Sequence, residues 1–110
     1  MPPKYLFPKY LFKVLSYSLW EQSLGKEALM LPPEDDAFIH LSTHEQLERI
    51  LVKFWAHIPK YMILKIETKK LPGELVFETN PNGSTKYYHL YNGHIPRLSI
   101  VDAKMCMRKL

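Results

Sequence analysis

The sequence is short of the residues that build several common kinds of site. It has one cysteine, Cys106. A lone thiol closes no internal bridge, so nothing calls for an oxidising compartment. Its neighbours Lys104 and Arg108 would favour a thiolate, but an inert thiol accounts for it equally well. Four glycines stand at 25, 73, 83 and 93. Neither G-x-G-x-x-G nor the P-loop spacing can be made from them, which excludes a Rossmann-type or P-loop nucleotide site. No apolar run approaches the ~20 residues of a membrane helix. The opening Met1–Phe7 stretch is interrupted by Pro8 and Lys9 and makes a poor secretory signal. No five basic residues are consecutive, so there is no polybasic tail. His44-Glu45 begins like a zinc-protease helix, but Glu48 stands where the second histidine belongs. His40 and His44 are four apart, yet His40 falls in a strand ahead of the helix. No metal site is expected.

What is there describes one domain. The chain has 110 residues, 46% hydrophobic and 24% charged, an ordinary balance for a globular protein. A cytoplasmic location is expected. The formal charge of +4 favours an anionic partner, a nucleotide or small anion, with RNA as another candidate. No membrane partner is expected, and the oligomeric state is not legible.

Pro3-Lys4-Tyr5-Leu6-Phe7 is repeated at once as Pro8-Lys9-Tyr10-Leu11-Phe12. Two five-residue copies make no solenoid. Residues 1–9 therefore read as a loose duplicated arm and residues 10–110 as a single domain. Tyr10–Leu15 reads as a strand. Ser18, with Glu21 three residues on, reads as a helix cap ahead of an apolar stripe of Leu19, Trp20 and Leu24. Gly25 suits the stop. Pro32-Pro33-Glu34-Asp35-Asp36 reads as a loop. Phe38–Leu41 is a short strand. Ser42 and Thr43 are overlapping caps of a second helix, whose Leu47, Ile50, Leu51 and Phe54 form one apolar face. Tyr61–Glu67 alternates as a strand. Glu74–Glu78 and Lys86–Tyr91 form a hairpin around an Asn80–Thr85 loop carrying Asn82-Gly83. Val101, Ala103, Met105 and Met107 alternate with polar residues, so the last strand reads as half-buried. The pattern is α+β, about six strands with two helices in the first half.

Two runs carry candidate chemistry. Phe38-Ile39-His40-Leu41-Ser42-Thr43 sets a histidine in a strand and hydroxyls at the mouth of a helix. Free N–H groups there suit a phosphate. The same residues also describe a partly buried histidine before an ordinary cap. Tyr87-Tyr88-His89-Leu90-Tyr91 puts Tyr87, His89 and Tyr91 on one strand face, fit to stack a base or to pack a sheet. Glu78, across the hairpin, would present a carboxylate to that face, where it could steady an oxocarbenium-like centre.

Together with Trp20-Glu21 and Glu74-Leu75-Val76-Phe77-Glu78, and with Asn92-Gly93 closing the second run, these segments resemble the bacterial domain of unknown function 952 family over about residues 10–110. The resemblance implies an ADP-ribosyltransferase-like fold, a split pair of small sheets clasping NAD. The F-I-H-L-S run is also similar to the H-V-H-L-S stretch of tRNA 2′-phosphotransferases. By resemblance, Lys13, His40, Ser42, Thr43 and Tyr91 bind the dinucleotide, and Glu78 and His89 are catalytic. The family's first strand usually carries a histidine where this chain has Lys13. Phe77 stands for a Trp, and Tyr88 for a Pro. The implied activity is NAD-dependent ADP-ribosyl or phosphotransferase-like transfer. The alternative is a non-catalytic module that senses a nucleotide or binds protein or RNA.

Overall fold

The computed structural model describes residues 7–107. It is α+β, with six strands in two three-stranded sheets. Residues 1–6 of the duplicated arm lie outside the described residues. The arm's Pro8 and Lys9 are tied to the domain, because Thr68 Oγ1 donates to both of their carbonyls, at 2.6 and 3.1 Å.

Sheet one has the order β1-β3-β6, from Tyr10–Ser16, Lys60–Glu67 and Ile100–Met107. Both pairings are antiparallel. Alternation puts Leu11, Lys13 and Leu15 of β1 on the inner face beside Met62, Leu64 and Ile66 of β3. Sheet two has the order β2-β5-β4, from Ile39–Leu41, Lys86–Tyr91 and Glu74–Thr79. Its inner face brings Ile39, Leu41 and Leu90 into the same core. The two sheets are stitched where Phe12 and Ser42 exchange backbone hydrogen bonds at 2.8 and 3.0 Å.

The first helix, α1, spans Tyr17–Ser23. Its cap is Ser16, whose hydroxyl accepts the Leu19 N–H at 3.2 Å, and not the expected Ser18. The strand therefore runs straight into the helix, and the real cap is hidden as its last residue. Leu19 and Trp20 pack on the core, but Leu24 ends outside the helix and is exposed. Gly25 does turn left-handed, at φ 81°. Of the two overlapping caps, the structure uses Thr43. Gln46 closes a capping box on it, with the Thr43 N–H donating to Gln46 Oε1 at 3.0 Å. A 3-10 turn, His44–Gln46, then leads into α2, Leu47–Phe54.

The hairpin of β4 and β5 forms with the expected strands, and Asn82 takes the left-handed conformation in its loop. At its far end Gly73 and Gly93 cross in contact. A Cβ on Gly93 would collide with the Pro72 carbonyl, so the crossing requires glycine. The last strand departs from expectation. Among the described residues it is a sheet edge, and Val101, Met105 and Met107 are 47–68% exposed.

Candidate active site

The site forms where the two sheets meet. In β2, His40 sits opposite His89 of β5, so both rings lie on the face of sheet two turned away from the core. Glu78 and Tyr87 are likewise opposed across the hairpin. The expected shared face of Tyr87, His89, Tyr91 and Glu78 is therefore present, and His40 joins it.

Two carboxylate–histidine pairs stand on this face. In the first, Asp35 Oδ1 lies 2.7 Å from His40 Nδ1 and also accepts the His40 backbone N–H at 3.3 Å. Asp35 Oδ2 lies 2.6 Å from Lys13 Nζ. The Lys13 ammonium in turn donates to the His40 carbonyl at 3.0 Å. Lys13 and Asp35 are both buried. Burial alone would raise the Asp35 carboxyl. The His40 hydrogen bond and the Lys13 charge outweigh it and hold the group below its ordinary value. Burial lowers Lys13, and the Asp35 charge offsets only part of that. An ionised Asp35 can only accept, so His40 Nδ1 carries the hydrogen. Among the described residues no hydrogen bond reaches His40 Nε2, and His40 lines the cavity described below.

In the second pair, His89 is fully buried and held at both ring nitrogens. Nδ1 lies 2.8 Å from Glu78 Oε2, and Nε2 lies 2.9 Å from the Asn80 side-chain oxygen. The Tyr91 hydroxyl donates to the same Glu78 oxygen. The Tyr91 and His89 hydrogen bonds hold the Glu78 carboxyl below its ordinary value, and the same contact raises the Tyr91 phenol. The Phe38 ring lies over His89, stacked at 4.1 Å between centroids, and also touches His40 and Tyr91.

A cavity of about 400 Å³ opens against the first pair. Phe12, Trp55 and Tyr87 give it aromatic walls. Lys13, Asp35, His40, Ser42 and Asn80 give it a polar end. Ile50 and Phe54 of α2 are also in the lining. The apolar face expected for α2 is real, yet no α2 residue is buried. That face borders the open cavity where a core helix would meet side chains.

The predicted residues are thus divided. Lys13, His40 and Ser42 line the cavity. Ser42 is buried, its backbone bonded to Phe12. Thr43 faces a smaller neighbouring hollow beside His44, Lys9 and Lys65. Glu78, His89 and Tyr91 form a bonded cluster beside the cavity, joined to it through Asn80. The sequence reading missed Asp35, which links Lys13 to His40, and also Trp55 and Asn80. Asp35 lies in a Pro-Pro-Glu-Asp-Asp loop that composition alone assigns to solvent.

The family model described as "Protein of unknown function (DUF952)" matches residues 14–103. The chain belongs to the DUF952 family. Solved structures of the DUF952 domain's fold include protein CC0527 from Caulobacter crescentus. Its crystal structure superposes with a TM-score of 0.74 at 23% identity, covering 87% of this chain and 84% of that one. Its solution NMR structure gives a TM-score of 0.73 at 23% identity, covering 88% and 84%. This likeness is one of fold. No curated protein matches the sequence.

Proposed function

We propose that this DUF952 domain binds a nicotinamide dinucleotide in the cavity between its sheets and uses the Asp35–His40 pair in ADP-ribosyl transfer. The observation that carries the reading is His40. Asp35 fixes Nδ1, and among the described residues Nε2 has no hydrogen-bond partner, at a cavity with aromatic walls. That is the arrangement of an oriented general base. The cavity volume falls within the ~300–1,000 Å³ common to small-molecule sites, and its apolar lining with few polar groups suits a base and sugar. Phe12, Trp55 and Tyr87 would hold a flat ring. Ser42 and Asn80 supply polar groups in the lining that would suit sugar hydroxyls.

When bound, the dinucleotide supplies an electrophilic ribose carbon with nicotinamide as leaving group. His40 Nε2 takes the proton of the acceptor hydroxyl. Asp35 stabilises the resulting imidazolium, and Lys13 keeps Asp35 ionised. Glu78 places a negative charge on the same sheet face, while His89 and Tyr91 fix its direction. His89, buried and bonded at both nitrogens, acts through Glu78 as a positioning residue.

Lys13 favours a second reading, a non-catalytic module that senses a nucleotide or binds protein or RNA. Its ammonium is engaged by Asp35 and the His40 carbonyl, so the position given to ribose contact by resemblance serves an internal ion pair. Titration with NAD, followed by backbone NMR, tests the site. Shifts centred on His40–Thr43, Trp55 and Tyr87 are expected. No shift at about 1 mM NAD would remove the dinucleotide. Shifts without nicotinamide release, in the presence of candidate acceptors, would leave the sensing module.

A further inference from the structure

We infer that β6 is a self-complementary edge through which two copies of this chain pair into one continuous six-stranded sheet. Strand β6 is bonded to β3 on one side. Among the described residues no strand lies on its other side. An unpaired edge of this length is a template for another strand. Its inner face continues the core face of sheet one. Ala103 lies opposite Leu64 and Met105 opposite Met62, both of which are buried. Yet Met105 is 47% and Met107 68% exposed. The outer face carries Asp102 and Lys104, both exposed and in no ion pair among the described residues.

The occupant is a second copy because the strand's own charge order selects one register. Two antiparallel copies related by a two-fold axis place residue i opposite a fixed partner. Keeping inner face beside inner face requires the axis to pass through a residue, since a one-residue slip turns the strand over. An axis at Asp102 sets two carboxylates against each other. An axis at Lys104 sets two ammonium groups together. An axis at Ala103 sets Asp102 of each copy against Lys104 of the other, short of the β-bulge at which Val101 drops out of the pairing with β3. This last register gives two opposite-charge pairs on the outer face. The small Ala103 side chains meet at the axis without a clash.

Sedimentation equilibrium of the full chain tests this between about 1 µM and about 1 mM. The mass is expected to rise from 13.0 kDa toward twice that value. Lys104→Asp should return it to monomer with an unchanged circular dichroism spectrum, since the position is exposed. Asp102→Lys combined with Lys104→Asp should restore the dimer. Ala103→Cys in a Cys106→Ser background should cross-link to its own copy under mild oxidation, reporting the axis directly. A chain that stays monomeric throughout would overturn the proposal. So would a dimer indifferent to the charge reversal, which would place its interface elsewhere.

Discussion

Asp35 is the residue on which the polar end of the cavity depends. It holds the His40 ring, accepts the His40 backbone N–H and neutralises Lys13. Removing one member of a buried pair leaves the other uncompensated and costs about 3–5 kcal/mol. Asp35→Asn is therefore expected to lower the unfolding free energy drawn from urea titrations by that amount. Lys13→Met added to it should recover most of the loss, because the unpaired ammonium is gone. The sign of the pH dependence follows from the lowered carboxyl. Stability from Asp35 is complete above its unfolded value, about pH 4, and is lost as pH falls through its lower folded value. Glu78 and Glu67 are lowered too and act in the same direction. Stability measured from neutral pH downward should fall in acid, and Asp35→Asn should flatten part of that slope. A slope unchanged by the variant would remove Asp35 from the linkage.

At the scale of elements, α2 and β3 are opposites. Helix α2 has an apolar face with nothing buried, and Phe54 is 61% exposed. Strand β3 is paired on both sides, and Leu64 is inaccessible to solvent. Leu64→Ala should cost about 2–5 kcal/mol. Phe54→Ala should cost within about 0.5 kcal/mol, as an exposed position does, while weakening NAD binding in the same NMR titration. A large loss of stability from Phe54→Ala would mean that the helix face is structural and not a ligand wall. At the end of the hairpin, Gly93→Ala should cost about 1–3 kcal/mol by overpacking against Pro72, read as a lowered thermal midpoint.

Across the whole molecule, what the sequence made legible was local and periodic. Alternation located the strands, and spacing found the apolar face of α2. The F-I-H-L-S-T run and the aromatic strand did meet on one sheet face, because each needed only a strand and its side-chain direction. What stayed hidden was set by long-range pairing. Lys13 and Asp35 come together across a loop that composition marks as solvated, and only the return of that loop over β1 buries both. Ser16 was hidden as a cap because it also ends a strand. The exposure of β6 was hidden because alternation reveals which residues share a face, and not whether anything covers that face. Amide hydrogen exchange should show the same hierarchy: slowest in β3 and β5, each paired on both sides, and fastest in α2. Uniform protection would contradict it.

The stitch between Phe12 and Ser42 has a mechanical meaning as well. Among the described residues it is the one backbone bridge between the sheets, two hydrogen bonds between residues that both line the cavity. The Ser42 hydroxyl adds a contact to the Phe12 carbonyl at 3.4 Å, and apolar packing and the Lys13–Asp35–His40 linkage also join the sheets. Pulled across this seam, the molecule should break in a single early event, with each sheet still intact. A ligand lodged between Phe12 and Tyr87 would span the same line and raise the force at which it gives way.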